Sequence, residues 1–552
     1  MRSRLLVLCA CCLVFSLYAQ SPATSAQNFP LRVTARLVQV DVVVRDKKGQ
    51  PITDLKQEDF EVTDQGKPQK ISVFAIESNQ KAIGRAGPLP PNTFSNLPSR
   101  QGASQNLTVI LFDTLNTGVI DQVNAKREVL RFLRQIQPQD RVAIYGLGAQ
   151  LRVVHDFTGS AEALSRAIAH YQTRVSPEHV SSLPPVEDNA AGLSGPELAI
   201  IQAMDAFLNA SNQLVGNYYI ERRMAITLQA LGAISSHIAA LPGRKGLVWI
   251  SGGFPFTYGN EHFQVNQANV GVNNFADDLK RTAQAITNAN VAIYPVDARA
   301  FMSASTVNPS SSAEGSGRPA RRPSLADTQV ADDVLASHST MQDLADKTGG
   351  RAIWGTGDVE GAIRRTIDDS RLTYALGYYP SDIKLDGKFR TIKVSVKRPG
   401  VQLRYRHGYY ALPDEPMDDA HRQDAINTAA RSPLDATGVG FVAKFSTPGE
   451  SASMRQIDID VDTSSLALEQ KQDVWIGGLD VVFAQLDGVG NVVGSIGRLV
   501  PIRLNAAERE RLLSDGLVLN APLEIQPKCE QVRIIIRDAK SGAIGTVTAT
   551  IR

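Results

Sequence analysis

Hydrophobic positions follow three successive patterns along the chain, and the changes between them outline its organisation. Over residues 31–45 apolar residues alternate with polar ones, first Val33, Ala35 and Leu37, then Val38, Val40, Val42 and Val44. That period of two predicts a strand with one buried face, and the phase change between Leu37 and Val38 predicts a bulge. Residues 60–63 and 71–76 predict two further short strands, separated by turns at 46–51 and 64–68. Three strands rarely close a core, so this unit (31–77) needs partners from elsewhere. Residues 78–106, rich in Pro, Ser, Asn and Gly, read as a linker.

At Leu107 alternation gives way to continuous apolar runs. Leu107, Val109, Ile110, Leu111 and Phe112 are interrupted only by Thr108, as a strand covered by helices on both faces requires, and Asp113 closes the run. Similar runs at 140–146, 246–250, 291–296 and 351–354, with one expected at the sheet edge at 151–157, predict the remaining strands. Helical spacing at 120–136, 197–214, 221–241, 275–289, 340–347 and 359–370, and after the capping Ser160, predicts the helices between them. The result is an α/β Rossmann-like domain with a central, mostly parallel sheet over 107–371, carrying insertions at 173–221 and 298–336. Its ligand-binding rim lies at the C-terminal strand ends, beside Asp113.

From residue 372 alternation returns. Strands at 372–379, 389–397 and 401–410 are expected to complete the sandwich begun by 31–77, which makes the α/β domain an insertion; two separate β units are the alternative. A linker at 412–436 leads to a C-terminal antiparallel sandwich over 437–552.

At 552 residues the chain exceeds one core, since ~150 residues per domain is typical. Arg2 and Arg4 precede an apolar run of residues 5–17, and small residues follow up to Ala26, the layout of a secretory signal peptide over 1–26. The run is too short for the ~20 residues that span a bilayer, so no stable transmembrane segment is expected after cleavage. The chain is therefore read as exported, periplasmic or secreted. Loss of Arg2 and Arg4 takes the formal charge from +2 to 0, which removes any general attraction for nucleic acid. Cys9, Cys11 and Cys12 lie in the leader; Cys529 alone remains, which excludes internal disulfides and cysteine metal sites.

Catalytic patterns are weak. Ser251 follows a buried strand, but the run Trp249, Ile250, Ser251, Gly252, Gly253 lacks the glycine two residues before the serine of a nucleophile elbow. The eight histidines form no HExxH motif. A serine hydrolase using Ser251 is thus a remote alternative, and the chain is read as a non-enzyme.

The order of elements, with an acid after the first strand, resembles the von Willebrand factor type A fold. The residues of 40–44 with Asp59 and Phe60, the run LPGRKGLVWISGG at 241–253, the run YPVD at 294–297 and the ending LRYRHGYY at 403–410 are similar to those of the VWFA-related family of exported bacterial proteins. The resemblance implies a divalent-cation site at the rim, built from Asp-x-Ser-x-Ser, a threonine from a middle loop and an acid after the fourth strand. Magnesium wants six oxygens in octahedral array and keeps a position open for an acidic group of a partner. Here Leu115 replaces the first serine, Ser251 and Gly252 stand where the acid is expected, and no threonine is assigned. The resemblance thus implies a degenerate site of Asp113, Thr117 and Ser251 for Mg²⁺ or another divalent cation, with Asn116 and Asp297 as rim contacts. Asp113 equally suits a helix cap or an acceptor for loop amides. The expected function is binding or adhesion to a protein or extracellular polymer through the rim. A structural or assembly component of the envelope is the alternative.

Overall fold

The computed structural model describes residues 37–78, 89–97, 107–137, 139–172, 196–253, 272–301, 325–355, 359–381, 384–412, 418–446 and 453–551. The leader, the first six residues of the 31–45 segment and much of both insertions lie outside the described residues. In chain order the first elements are β1 (Val38–Arg45), β2 (Phe60–Asp64), β3 (Lys67–Gln69), β4 (Ile71–Ser78) and β5 (Thr93–Ser95). The α/β part follows: β6 (Leu107–Asp113), α1 (Val119–Leu133), β7 (Arg141–Leu147), β8 (Leu151–Thr158), α2 (Ala161–His170), α3 (Pro196–Ile238), β9 (Lys245–Ser251), α4 (Val272–Asn288), β10 (Val291–Asp297), α5 (Leu325–Thr348) and α6 (Val359–Ser370). After it come β11 (Leu372–Tyr378), β12 (Phe389–Val396), β13 (Gln402–Arg404), β14 (Gly408–Tyr410) and α7 (Asp419–Arg431). The last group is β15 (Phe441–Phe445), β16 (Met454–Val461), β17 (Glu469–Lys471), β18 (Val474–Leu486), β19 (Val492–Leu504), α8 (Ala506–Asp515), β20 (Leu517–Glu524), β21 (Gln531–Asp538) and β22 (Ile544–Thr550).

The α/β sheet runs β10-β9-β6-β7-β8, parallel except for β8, which pairs antiparallel with β7. Alternate residues of each strand feed opposite cores, because successive side chains leave a strand on opposite faces. Val109, Leu111, Leu247 and Trp249 pack with Leu228, Leu231 and Ile234 of α3, Ile286 of α4 and Leu344 of α5. Ile110, Phe112, Val248 and Ile250 pack with Val129 and Phe132 of α1, Ile168 of α2 and Ile363 of α6. The apolar run expected as a sixth strand at 351–354 is a single bridge between Val296 and Ile353. Gly355, at φ +72°, ends the extended backbone two residues later.

Two four-stranded sheets, β13-β1-β11-β4 and β14-β12-β2-β3, face each other across Val40, Val42, Phe60, Val62, Tyr374, Leu376, Ile392 and Val394. The first joins strands from before and after the α/β part: Val40 opposes Leu376, and Ser78 opposes Leu372. Alternation predicts one buried face for β1, yet Asp41 and Val43 are buried too. The reason is the α/β domain beneath it. Arg244, fully buried, donates to the Asp41 carbonyl at 3.3 Å, and Asn290 donates to the Asp41 carboxylate.

The C-terminal sandwich pairs β20-β16-β15-β5 with a sheet of β18, β21 and β22, in which β17 and β19 also border β18. Two segments read as linkers contribute to it. β5 pairs with β15 (Ala443 opposite Phe94), a partner that no local pattern could indicate. α7 is started by Asp418, whose side chain accepts from His421 N, and packs Ile426, Ala429 and Ala430 on Val482 and Ile535. The two helices expected at 197–214 and 221–241 are one continuous helix, α3. A lone Gly216 weakens a helix by only ~1 kcal/mol, too little to break it without a proline.

Candidate functional site

Asp113 ends β6 with its side chain on the α3 side of the sheet, the parity of Val109 and Leu111. Trp249 and Ser251, two residues apart on neighbouring β9, share that side, because Leu111 pairs with Trp249. The carboxylate is therefore met by both. Its Oδ2 accepts from Ser251 Oγ at 2.8 Å, Trp249 Nε1 at 3.0 Å and Asn116 Nδ2 at 2.9 Å, while Oδ1 accepts from Asn116 N at 3.0 Å. Burial pushes the Asp113 carboxyl above its ordinary range, and the hydrogen bonds from Asn116, Ser251 and Trp249 pull it back part of the way.

The loop after β6 is held from several directions. Leu147 O accepts from Thr114 N at 2.7 Å and Leu115 N at 3.0 Å, and Gln122 Nε2 donates to Thr117 O at 2.7 Å. Leu115, standing where the resemblance puts a serine, is wholly buried in the core beneath α3. Thr117 Oγ1 accepts from Gly252 N at 2.8 Å, joining this loop to the one after β9. The approach is close: a Cβ at 252 would lie 3.2 Å from both Asn116 O and Thr117 Cα, so a larger residue would push the two loops apart by a few tenths of an ångström. Asn116 also reaches α3, its Nδ2 lying 3.3 Å from Thr227 Oγ1, while its Oδ1 is buried without a partner.

Asp297 closes β10 directly beside Ser251. Its Oδ1 accepts from Arg299 N at 2.9 Å and Arg299 Nε at 3.0 Å, and its Oδ2 from Arg299 Nη2 at 3.0 Å. His338 Nε2 lies 2.9 Å from the same Oδ2, and the His338 ring stacks on Trp354 with centroids 5.0 Å apart. A carboxylate at that distance fixes the proton on Nε2.

The structure thus gathers Asp113, Asn116, Thr117 and Ser251 into one hydrogen-bonded rim, with Asp297 on the adjacent strand. Sequence reasoning missed Trp249, Thr227 and His338. Trp249 was legible in principle, since a residue two before Ser251 on one strand shares its face; Thr227 and His338 carried no such signal. Among the described residues the Ser251 hydroxyl meets Asp113 and the backbone of Gly253, at 2.6 Å from its carbonyl, and no histidine. No group of three or more His, Cys, Asp or Glu side chains suited to a metal occurs among the described residues.

A sheet with this strand order, one antiparallel edge strand, helices on both faces and an acid at the end of its central strand is a doubly wound α/β sheet, consistent with a von Willebrand factor type A domain. A scan of family models and a search of curated proteins return no match. Among solved structures, the chain is similar to the vWF domain of the type V pili tip protein Mfa5 from Porphyromonas gingivalis, at 10% identity over 48% of this chain and 93% of that one, with a TM-score of 0.25. It is also similar to a von Willebrand factor type A protein from Catenulispora acidiphila, at 12% identity over 87% and 74% of the two chains, with a TM-score of 0.24. An aerotolerance-related membrane protein from Bacteroides fragilis aligns at 12% identity over 48% and 98%, with a TM-score of 0.23.

Proposed function

We propose that this chain is an exported, non-enzymatic binding protein that holds a partner protein or extracellular polymer at the rim formed by the loops after β6 and β9. The observation that carries the reading is the junction itself: Asp113 ties four donors together, and Thr117 clamps Gly252. A surface fixed by internal hydrogen bonds loses little entropy when a partner docks. The leader supports export, and among the described residues no helix is long and apolar enough to cross a membrane.

The rim, on this reading, works without a resident cation. Three donors already converge on Asp113 Oδ2, the Ser251 hydroxyl is shared between Asp113 and Gly253 O, Thr117 Oγ1 accepts from Gly252 N, and Leu115 brings no oxygen. Magnesium usually binds through one or two carboxylates and keeps several waters, and here the one rim carboxylate of that loop is already saturated on Oδ2 by internal donors. Titration calorimetry with Mg²⁺, Mn²⁺ and Ca²⁺ is expected to show no saturable binding that D113N abolishes.

The binding reading is tested by cross-linking capture from envelope extracts, with wild type, D113N and a control substitution far from the rim, V489E. Loss of a partner in D113N alone supports it. An identical partner set in all three sinks it and favours the envelope-assembly reading, for which the long exposed strand β19, bordered only by β18, is the feature to pursue.

A further inference from the structure

The rim holds a charge that no ion pair neutralises among the described residues. Arg223 lies on α3 one turn before Thr227, the residue that meets Asn116. Since α3 runs down from the rim towards β9, Arg223 stands about 6 Å nearer the rim edge than Thr227. Residues four apart share a helix face, so the guanidinium is directed to the same side as Thr227. It is half-buried, and its Nε is buried without a hydrogen-bond partner. Burial lowers its pKa, and the charge of Asp113 acts back on it through space, with no salt bridge to it among the described residues.

Asp113 is not placed to pair with it directly, because its oxygens are engaged by Asn116, Trp249 and Ser251. The other rim acid, Asp297, is already paired with Arg299 and in hydrogen-bond contact with His338. A partly desolvated guanidinium left without a counter-ion is a cost to the free protein that a planar anion of matching geometry removes.

We propose that Arg223 is the ligand-binding centre of this rim, receiving the carboxylate of a partner's aspartate or glutamate side chain. The inference rests on the reading of the rim as a binding surface and adds its chemistry. The guanidinium fork donates two N–H bonds to the carboxylate, and the locked loop of Asn116 and Thr117 forms the wall beside it.

The test uses the full purified chain and an end-blocked octaglutamate peptide, with octaglutamine as control, followed by titration calorimetry in EDTA. Wild type is expected to bind octaglutamate and not octaglutamine, with affinity falling as salt rises. R223Q is expected to weaken binding at least about tenfold, and R223K, which keeps the charge but not the fork, to fall between. No hydrogen bond or ion pair of Arg223 is seen among the described residues, so R223Q should melt within a degree or two of wild type, and binding lost with an unchanged melt is not lost folding. Binding unchanged in R223Q, absent in wild type, or abolished by EDTA overturns the proposal. Should R223Q leave octaglutamate binding intact while D113N removes partner capture, the anion assignment falls and the rim reading stands. Should neither variant alter capture, both fall.

Discussion

Asp113 concentrates the chemistry of the rim because one buried carboxylate organises two loops. Replacing it by asparagine keeps an oxygen for Ser251, Trp249 and Asn116 Nδ2 but sets an amide N–H2 against the Asn116 N–H. We expect D113N to lower unfolding free energy by about 1–3 kcal/mol, and D113A by more, since it leaves several buried donors unpaired. Urea denaturation of the three proteins measures the order; a D113A midpoint at or above that of D113N would contradict it. A residue-scale network of this kind is only partly legible in sequence. Asp113 and Ser251 could be placed together because each ends a buried strand, and strand ends of a parallel sheet meet at one rim. That Trp249 would turn its N–H to the same oxygen, and that Arg223 would approach from a helix more than a hundred positions away, depends on packing that no local pattern encodes.

Among the elements, helices and strands were readable where burial imposes a period and unreadable where a distant partner does. Leu107–Asp113 announces itself as a central strand because every one of its residues is buried. β5, three half-buried residues in a Pro-rich stretch, announces nothing; it exists because β15 offers it an edge. Two glycines test how tightly the elements are packed. A Cβ at Gly246 would lie 2.4 Å from Thr366 Cγ2, so β9 and α6 meet without room for a methyl group. G246A is therefore expected to destabilise by roughly 1–3 kcal/mol through overpacking. Gly232 in α3 has nothing within 4 Å of its Cβ position, and G232A should stabilise by roughly 0.5–1 kcal/mol. Thermal melts of both variants would decide, and shifts of the same sign would refute the contrast.

For the molecule as a whole, the junction between the first sandwich and the α/β domain sets the response to pH. Glu77 of β4 is pushed up to about 7, chiefly by burial and then by the neighbouring charge of Asp41. Lys245 of β9 is pushed down to about 8 by burial, with Asp41 and Glu77 opposing. A carboxyl with a raised folded pKa holds its proton where the unfolded chain has lost it, so stability falls as pH rises from about 4.5 to about 7. A lysine with a lowered folded pKa has lost its proton where the unfolded chain keeps it, so stability recovers from about 8 towards 10.5. The pair thus contributes least at pH 7–8. Denaturation midpoints across pH 5–10 should show a shallow minimum there in wild type and a flatter curve in E77Q, while an E77Q curve that keeps the acid limb would show that another group sets it. Arg244 and the Asp369 carboxylate, which accepts from Arg45 and from Tyr294 Oη at 3.0 Å, bind the same junction from either side.

The pairing of β5 with β15 also has a temporal side. Asn96, beside β5, donates to Ala436 O at 2.7 Å and Val439 O at 2.9 Å and accepts from Phe441 N, 345 positions later. A ribosome adding about 5–20 residues each second needs roughly 20–70 s to cover that interval. During that interval the early segment is made but its sheet is not, and β1 waits nearly as long for β11. The α/β core, whose strands and helices find partners close by in sequence, can settle first. Both sandwiches must close last, around a domain that is already in place.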